Sequence, residues 1–512
     1  MRKNICLVMA CLAIGSAFAE AGKSGITDRQ VSVVGFVDAG QLVRGSLVYG
    51  DGSEATTTPL EDLFLNRNGI ALTYSGTLDE RLRMNIGVGG LFYKPVASNP
   101  AHEPAEYKRI SFGPGISEAS AQYDFSRHLN VKFGFFGYKY NPDAVNLGEY
   151  LLRSEAYPGI IHTGSSGGWV WMNSNEYKSL GTKVSWTSLN GMLRHDFLMY
   201  SEFNDQPLFD FSPSYVATLK VMGAFEFGAG VSLHRWLPIQ PSWTTPDDPQ
   251  HSNTYVEVKN FPAYPALNSS LSHQSGFSGG TWKGMGSQIT SYTYADGITH
   301  IATELHDASG GLLYEIVDST GTPIDTLKAS KTEKLTFKAI KLMGRASVDI
   351  ASLLGMDGKS TGPFKAFVEV AVLGVQNQPY FYEKIQNRIP LMLGVDVPTF
   401  GILDLLCLQM EYFKNPYPDN SFQQFTNALP QPQLPGGNVA EYEDNLRAGV
   451  YDHDDLKWSL FVQKNLFTGL DLYAQVANDH LRVQNNLGEP SSMPLTQGKS
   501  DWYYMLRFQW SM

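Results

Sequence analysis

Two short segments carry the pattern Gly-x-Ser-x-Gly, which can place a nucleophilic serine on a sharp turn between a strand and a helix. They are residues 164–168 and 276–280. Both lie in stretches rich in Gly and Ser, and neither follows a strand pattern or opens a helical one. A hydrolase is therefore a poor interpretation, and we predict that the chain is not an enzyme.

An acidic run at residues 452–455, Asp-His-Asp-Asp, has oxygen ligands that a divalent cation could use. Calcium loops, however, space their ligands around a glycine turn, and this run does not. We interpret it as a solvated loop tip. The sequence has no phosphate loop, dinucleotide fingerprint or paired Cys/His motif, so we predict neither a metal nor a cofactor.

The most regular element of the chain is its last stretch, residues 502–512. Apolar side chains occupy every second position there, namely Trp502, Tyr504, Leu506, Phe508, Trp510 and Met512. A period of two predicts a β-strand with one apolar and one polar face. Such a strand needs an apolar cover, which lipid around a transmembrane barrel supplies. The alternative is a strand of a soluble exported β-protein.

Residues 1–19 have the features of a secretory signal peptide, with Arg2 and Lys3 at the start and an apolar stretch behind them. Removal of this peptide would leave Cys407 as the one cysteine, which excludes a disulfide within the chain. No later apolar run is long enough to predict a transmembrane helix. The many Gly and aromatic residues suit strands that are apolar on one side, and the net charge of −11 argues against nucleic-acid binding.

Alternating segments recur along residues 20–512 and predict about sixteen antiparallel strands. Short connections such as Asn190-Gly191 alternate with long ones. The longest, over 238–334, is predicted to be one large extracellular loop. A hairpin inside it, formed by 298–305 and 312–317, would raise the number of strands to eighteen if it entered the barrel wall.

The C-terminal strand and the strand pattern together resemble the general porins of the Gram-negative outer membrane, although this chain ends in Met512 where the family usually has Phe. The resemblance implies an all-β fold, a transmembrane antiparallel β-barrel through which small hydrophilic solutes or ions diffuse passively. It also implies insertion by the barrel assembly machinery through Trp502 to Met512, and a homotrimer. Small residues of the first strands would form the subunit contact, for example Gly35, Ala39, Gly87 and Ala121.

General porins narrow their lumen with the loop between strands five and six, which corresponds here to residues 141–178. Within it, 142–153 begins with a Pro and has leucines at helical spacing. This pattern predicts a short helix that needs an apolar surface, which the inner wall would supply, and the resemblance implies that the helix forms the constriction. Its charged side chains are Asp143, Glu149, Arg153 and Glu155. The alternative is a short helix that caps the barrel from outside.

A barrel of this size is too wide for side chains alone to fill, so inward charges would line an aqueous channel. The predicted alternation of inward and outward side chains places more basic than acidic residues inside the barrel. This excess weakly favours the passage of anions. The pore-lining candidates are Arg67, Arg83, Lys132, Lys365, Glu369 and Arg507. Two alternatives to a general pore are a channel for one specific solute, and a plugged barrel whose extracellular loops bind a polymer, a surface or a partner protein.

Overall fold

The computed structural model describes the chain over residues 27–49, 56–93, 96–97, 111–152, 177–201, 211–234, 236–237, 256–259, 271–273, 280–285, 288–294, 299–306, 312–329, 332–335, 339–356, 358–375, 385–413, 456–479, 482–484, 490–494 and 500–512. Several features predicted above lie outside these ranges. They are the signal peptide, the segments 164–168 and 276–279, the acidic run 452–455, and the residues Arg153 and Glu155.

The wall of the molecule is an antiparallel sheet of sixteen long strands that closes on itself. The strands are β1 Thr27–Tyr49, β2 Thr56–Asp79, β3 Leu82–Tyr93, β4 Ser111–Ser126, β5 Leu129–Tyr138, β6 Tyr177–Ser188, β7 Leu193–Ser201, β8 Phe211–Val221, β9 Phe225–His234, β10 Ala339–Asp349, β11 Lys365–Val372, β12 Leu391–Asp396, β13 Leu405–Tyr412, β14 Leu456–Phe467, β15 Leu470–Asn478 and β16 Trp502–Ser511. Each strand pairs with the next in sequence, and β16 pairs with β1. The predicted fold class, an antiparallel β-barrel, is confirmed.

The stretch between β9 and β10 forms sheets of its own. Six short strands make one of them, namely Leu271–His273, Gly280–Met285, Gln288–Tyr294, Thr299–His306, Leu312–Val317 and Pro323–Ala329. The predicted hairpin is present in it, but the described pairings of its two strands are all within this sheet. The alternative of eighteen wall strands is therefore wrong.

The remaining elements are small. Val96–Ala97 pairs with β2, Val256–Lys259 with Thr332–Leu335, and Arg482–Gln484 with Pro490–Pro494. The helical pieces are α1 Ile350–Leu353 and α2 Gly358–Thr361, with 3-10 turns at Leu189–Gly191 and Ile385–Arg388. In the described ranges, none of the helices has both the length and the apolar character needed to cross a bilayer.

The two faces of the wall differ sharply in polarity. Directly opposed residues of neighbouring strands share a face, so Val37 lies beside Phe508 outside, and Asp38 lies beside Arg507 inside. The outward apolar side chains are exposed, whereas the inward polar ones are largely buried. The predicted parity thus holds in these strands. Gly87, however, faces inward beside Thr73, so it is not available for the subunit contact implied above.

The seam between β1 and β16 closes the barrel. Beyond the paired strands, the backbones of Val33 and Met512 exchange two hydrogen bonds of 2.9 Å. On the outer face, the indole ring of Trp510 lies against Gly35, where a Cβ would overlap the ring. The glycine is therefore required by the close approach of this side chain.

We expect Gly35→Ala to destabilise the barrel by about 1–3 kcal/mol, because the Trp510 ring would have to leave its place over the seam. Urea unfolding of the refolded protein, followed as the loss of its folded band in unheated gels, measures this change. Gly344→Ala is the matched control, because Gly344 is also an outward strand glycine and its Cβ would meet only Val370, at 3.9 Å. Equal stabilities of the two variants would contradict the prediction.

Candidate functional site

The connection after β5 turns into the barrel. Residues 139–152, called the inner segment below, pack against side chains that the wall points inward. Tyr140 and Tyr150 are buried in one apolar cluster with Met343 of β10 and Met392 of β12. The inner segment therefore lies on the inner face of the later strands and occupies part of the space that the wall encloses.

Glu369 of β11 is the main anchor of the inner segment. Its carboxylate is fully buried and accepts hydrogen bonds from the Tyr140 hydroxyl at 2.6 Å and the Asn141 side-chain amide at 2.7 Å. It also accepts the backbone N–H groups of Glu149 at 3.1 Å and Tyr150 at 2.9 Å. An ionised acceptor makes such bonds stronger than a neutral one does, so this one carboxylate fixes both ends of the inner segment.

Polar side chains of β13 and β14 hold the middle of the inner segment. Gln409 accepts the backbone N–H groups of Asn146 at 2.8 Å and Leu147 at 3.1 Å, and donates to the Asp143 carbonyl at 3.2 Å. Ser459 accepts a hydrogen bond from the Asn146 side chain at 2.7 Å. Two wall strands, β11 and β13, thus satisfy buried backbone groups of a segment without regular secondary structure, and β14 satisfies one of its side chains.

The predicted short helix is wrong, because residues 142–152 form turns and bends. Gly148 and Glu149 have φ angles of 93° and 62°, and two successive residues in this region end any right-handed helical turn. The N–H groups that a helix would pair internally are given to Glu369 and Gln409 instead. The regular spacing of the leucines therefore reflects burial against the wall.

Two of the four predicted constriction charges fall within the described residues, and both are buried. Asp143 accepts a hydrogen bond from Lys365 of β11 at 3.3 Å. Glu149 accepts the backbone N–H of Asn141 within the inner segment. Arg153 and Glu155 lie outside the described residues. The role of these four residues at a constriction stays a prediction.

Most of the predicted pore-lining charges have partners on the inner face. Arg507 donates two hydrogen bonds, of 2.6 and 3.0 Å, to Asp38. The other described pairs are Arg83 with Asp124 at 2.7 Å, Lys132 with Glu118 at 2.8 Å and Lys365 with Asp143. The backbone of Arg67 lies opposite Asp38, but its side chain is outside the described part. Glu369 holds the inner segment, as described above.

Three residues that organise the site were not singled out from the sequence: Tyr140, Asn141 and Gln409. The inward parity of Gln409 was visible between two outward apolar residues, but its partners lie more than 260 positions away. Burial, followed by the neighbouring Glu369 carboxylate, raises the pKa of the Tyr140 hydroxyl well above its ordinary value. Tyr140 therefore keeps its proton and remains a donor to Glu369 at any physiological pH.

No protein-family model matches the chain, and no curated protein matches it. Among solved structures, it is similar to a triple mutant of the Rhodopseudomonas blastica porin, with 7% identity, 94% of this chain and 100% of that chain covered, and a TM-score of 0.36. It is also similar to Pseudomonas putida OprB at high pH, with 10% identity, 97% of each chain covered and a TM-score of 0.37. A third is Salmonella typhi OmpF in complex with daunomycin, with 7% identity, 94% and 97% covered, and a TM-score of 0.41.

The class of the protein is defined by its own geometry. A closed antiparallel wall of sixteen strands has an apolar outside and a polar inside, and one connection is folded against the inner face. The chain forms a porin-like β-barrel.

We expect Glu369→Gln to loosen the inner segment without opening the wall. The amide would replace one acceptor oxygen by a donor that faces other donors, at a cost of about 1–3 kcal/mol. Amide exchange at Glu149 and Tyr150 should therefore become roughly five- to a hundredfold faster, while exchange in β1 and β16 stays unchanged. Hydrogen exchange with mass spectrometry measures both.

Glu226→Gln is the matched control for this prediction. Glu226 is also an inward glutamate, but its described partners are Arg345 at 2.5 Å and Lys220 at 3.3 Å, both on the wall. The control variant should leave the inner segment protected. Unchanged exchange at Tyr150 in Glu369→Gln would refute the anchoring role of this carboxylate.

Proposed function

We propose that this protein is an outer-membrane porin through which small hydrophilic solutes or ions diffuse passively. The observation that carries the proposal is the closed wall of sixteen strands with apolar side chains outside and charged side chains inside. A barrel of this size encloses more space than its inward side chains can fill. An exposed apolar belt around a polar lumen is the arrangement that a lipid bilayer stabilises.

In this proposal the inner segment narrows the channel. It covers the inner face of β11, β13 and β14 through Glu369, Gln409 and Ser459. Elsewhere the wall keeps inward charged side chains that water reaches, such as Arg83 of β3 and Lys220 of β8. Solutes would pass between these two surfaces, and Asp143, Glu149, Arg153 and Glu155 belong to the side formed by the 141–178 connection.

The accessibility of the paired charges supports a weak anion preference. In the Arg194–Asp196 pair the side chains are 52% and 7% exposed, and in the Lys220–Glu226 pair they are 68% and 16% exposed. In the Arg83–Asp124 pair the cation is again the more exposed side chain, at 56% against 29%. In these pairs, which stand near the short turns, the cation is open to water while its carboxylate is more covered, so anions that enter from this end meet the larger accessible charge.

Single-channel recording in a planar bilayer tests the proposal. The wild-type protein should give steps of stable size, and a KCl gradient should give a reversal potential of the sign expected for chloride preference. Glu369→Gln should change the size or the noise of the steps, because the inner segment is no longer held, whereas Glu226→Gln should leave their size unchanged. A folded barrel that gives no steps would overturn the porin proposal, and a potential of the opposite sign would overturn the anion preference.

Export and assembly belong to the same proposal. Residues 1–19 would direct secretion as a signal peptide, and the barrel assembly machinery would recognise Trp502 to Met512. The outward aromatic and aliphatic residues of β16 support this role because they are exposed on one face from Trp502 to Phe508. The same strand completes the wall by pairing with both β15 and β1.

A homotrimer is supported by a polar site on the outer face of β1 and β2. Asn66 and Asn68 lie on the outward face, opposite Ala39 and Val37, and share a hydrogen bond of 2.8 Å. Each amide has two N–H donors and a carbonyl acceptor, so this bond uses a fraction of their capacity. Lipid offers no partner for the rest, whereas the same face of another copy does. The small, exposed outward neighbour Ala39 allows a close approach.

We expect Ala39→Trp to dissociate the oligomer, because the large ring would hold the copies apart at this face. Ala229→Trp is the matched control, since Ala229 is an equally outward, exposed alanine in β9. Native mass spectrometry in detergent should give trimers for the wild type and the control, and monomers for Ala39→Trp. Trimers in both variants would exclude this face as the contact, and a monomeric wild type would exclude the homotrimer.

The alternative function is a barrel that binds a polymer, a surface or a partner protein through its long connections. The six-stranded sheet between β9 and β10 favours it, because a sheet of this size gives the connection a defined surface of its own. Absence of conductance together with specific binding by this part of the chain would favour the alternative over the channel.

A further inference from the structure

A recess opens at the end of the barrel where short turns join β2 to β3 and β4 to β5. Its volume is about 510 Å³. The lining includes Arg81, Arg83, Gln122, Asp124, Arg127 and Asn130. Arg81 lies in the turn between β2 and β3, and Arg127 lies in the turn between β4 and β5. The recess is separate from the inner segment, which packs on β11, β13 and β14.

The recess carries an excess of positive charge. Three guanidinium groups face one carboxylate among its lining side chains. That carboxylate, Asp124, already accepts hydrogen bonds from Arg83 at 2.7 Å and from Gln122 at 2.8 Å. The pair leaves Arg83 largely exposed to water. Two positive charges therefore stay uncompensated within the lining, next to the amide donors of Gln122 and Asn130.

Two of the arginines are held in place before any ligand arrives. The Asp124 carboxylate orients Arg83, and Gln122 orients the carboxylate in turn. Arg127 donates its Nε proton to His128 Nε2 at 2.8 Å. His128 Nδ1 lies 3.0 Å from the Thr187 hydroxyl on β6, which fixes the ring. Guanidinium groups ordered in this way lose less freedom when they bind an anion.

We propose that this recess is a binding site for a doubly charged oxyanion, of the class of inorganic phosphate and phosphate monoesters. Guanidinium groups match the geometry of such anions and bind them through paired hydrogen bonds. The two uncompensated charges equal those of the dianion, and the two amides supply further donors. The site holds a ligand at the short-turn end of the barrel and does not depend on conduction through it.

Equilibrium binding tests the site independently of channel activity. Inorganic phosphate is titrated calorimetrically into the detergent-purified full chain at low ionic strength. Saturable binding at one site per chain is expected, with competition by sulfate and none by chloride at equal ionic strength. Arg83→Gln and Arg127→Gln should each weaken binding roughly tenfold or more, since each removes charge-assisted hydrogen bonds.

Two further variants separate a built site from general attraction. Arg29→Gln removes the same charge from β1, outside the recess lining, and should leave the affinity within about twofold. Asp124→Asn removes the negative charge in the recess and should tighten binding, a gain that misfolding cannot produce. An absence of saturable binding, weaker binding in Asp124→Asn, or an equal loss in Arg29→Gln would overturn the proposal.

Discussion

The structure depends on one constraint: every backbone N–H and C=O group of the wall must be paired within the wall. An open sheet would leave two edges without partners, and in the membrane location proposed above water could not satisfy them. The pairing of β16 with β1 removes both edges. The close packing of Trp510 over Gly35 and the ion pair of Arg507 with Asp38 both lie at this seam, on opposite faces of the same closure.

Closure with sixteen strands creates the second problem, an interior that inward side chains do not fill. The inner segment fills part of this interior by packing its apolar side chains and its buried backbone against the wall. Backbone groups inside a barrel need partners as much as those of the wall do, and this segment of turns pairs some of its own, such as Asn141 and Leu151, but not those of residues 146, 147, 149 and 150. Glu369 and Gln409 supply them from the wall. These inward polar residues of the barrel therefore stabilise the inner segment, and they are not available to contact a solute.

The same packing buries some of the interior charges and leaves others exposed to water. Glu369 is buried under the inner segment, and Asp38 is buried behind Arg507. Arg194 and Lys220 extend from their partners into open space. Counting inward acidic and basic residues in the sequence gives every charge the same weight. A buried carboxylate, however, interacts with its neighbours far more strongly than with mobile ions. The proposed anion preference and the proposed oxyanion recess both follow from which charges remain accessible.

The alternation of residues in β3, β5 and β16 was enough to predict the antiparallel barrel and which side chains face inward, because a strand's faces follow from a local period of two. The number of wall strands was not decided locally, since the hairpin over Thr299–His306 has strand character but pairs in another sheet. The inner segment shows the same limit. Its sequence predicted burial correctly and a helix wrongly, because its backbone partners, Glu369 and Gln409, are brought to it by the closure of the barrel. The sequence by itself determined the faces of the strands; the tertiary structure alone decided which buried groups meet, because those pairs are more than 200 residues apart along the chain.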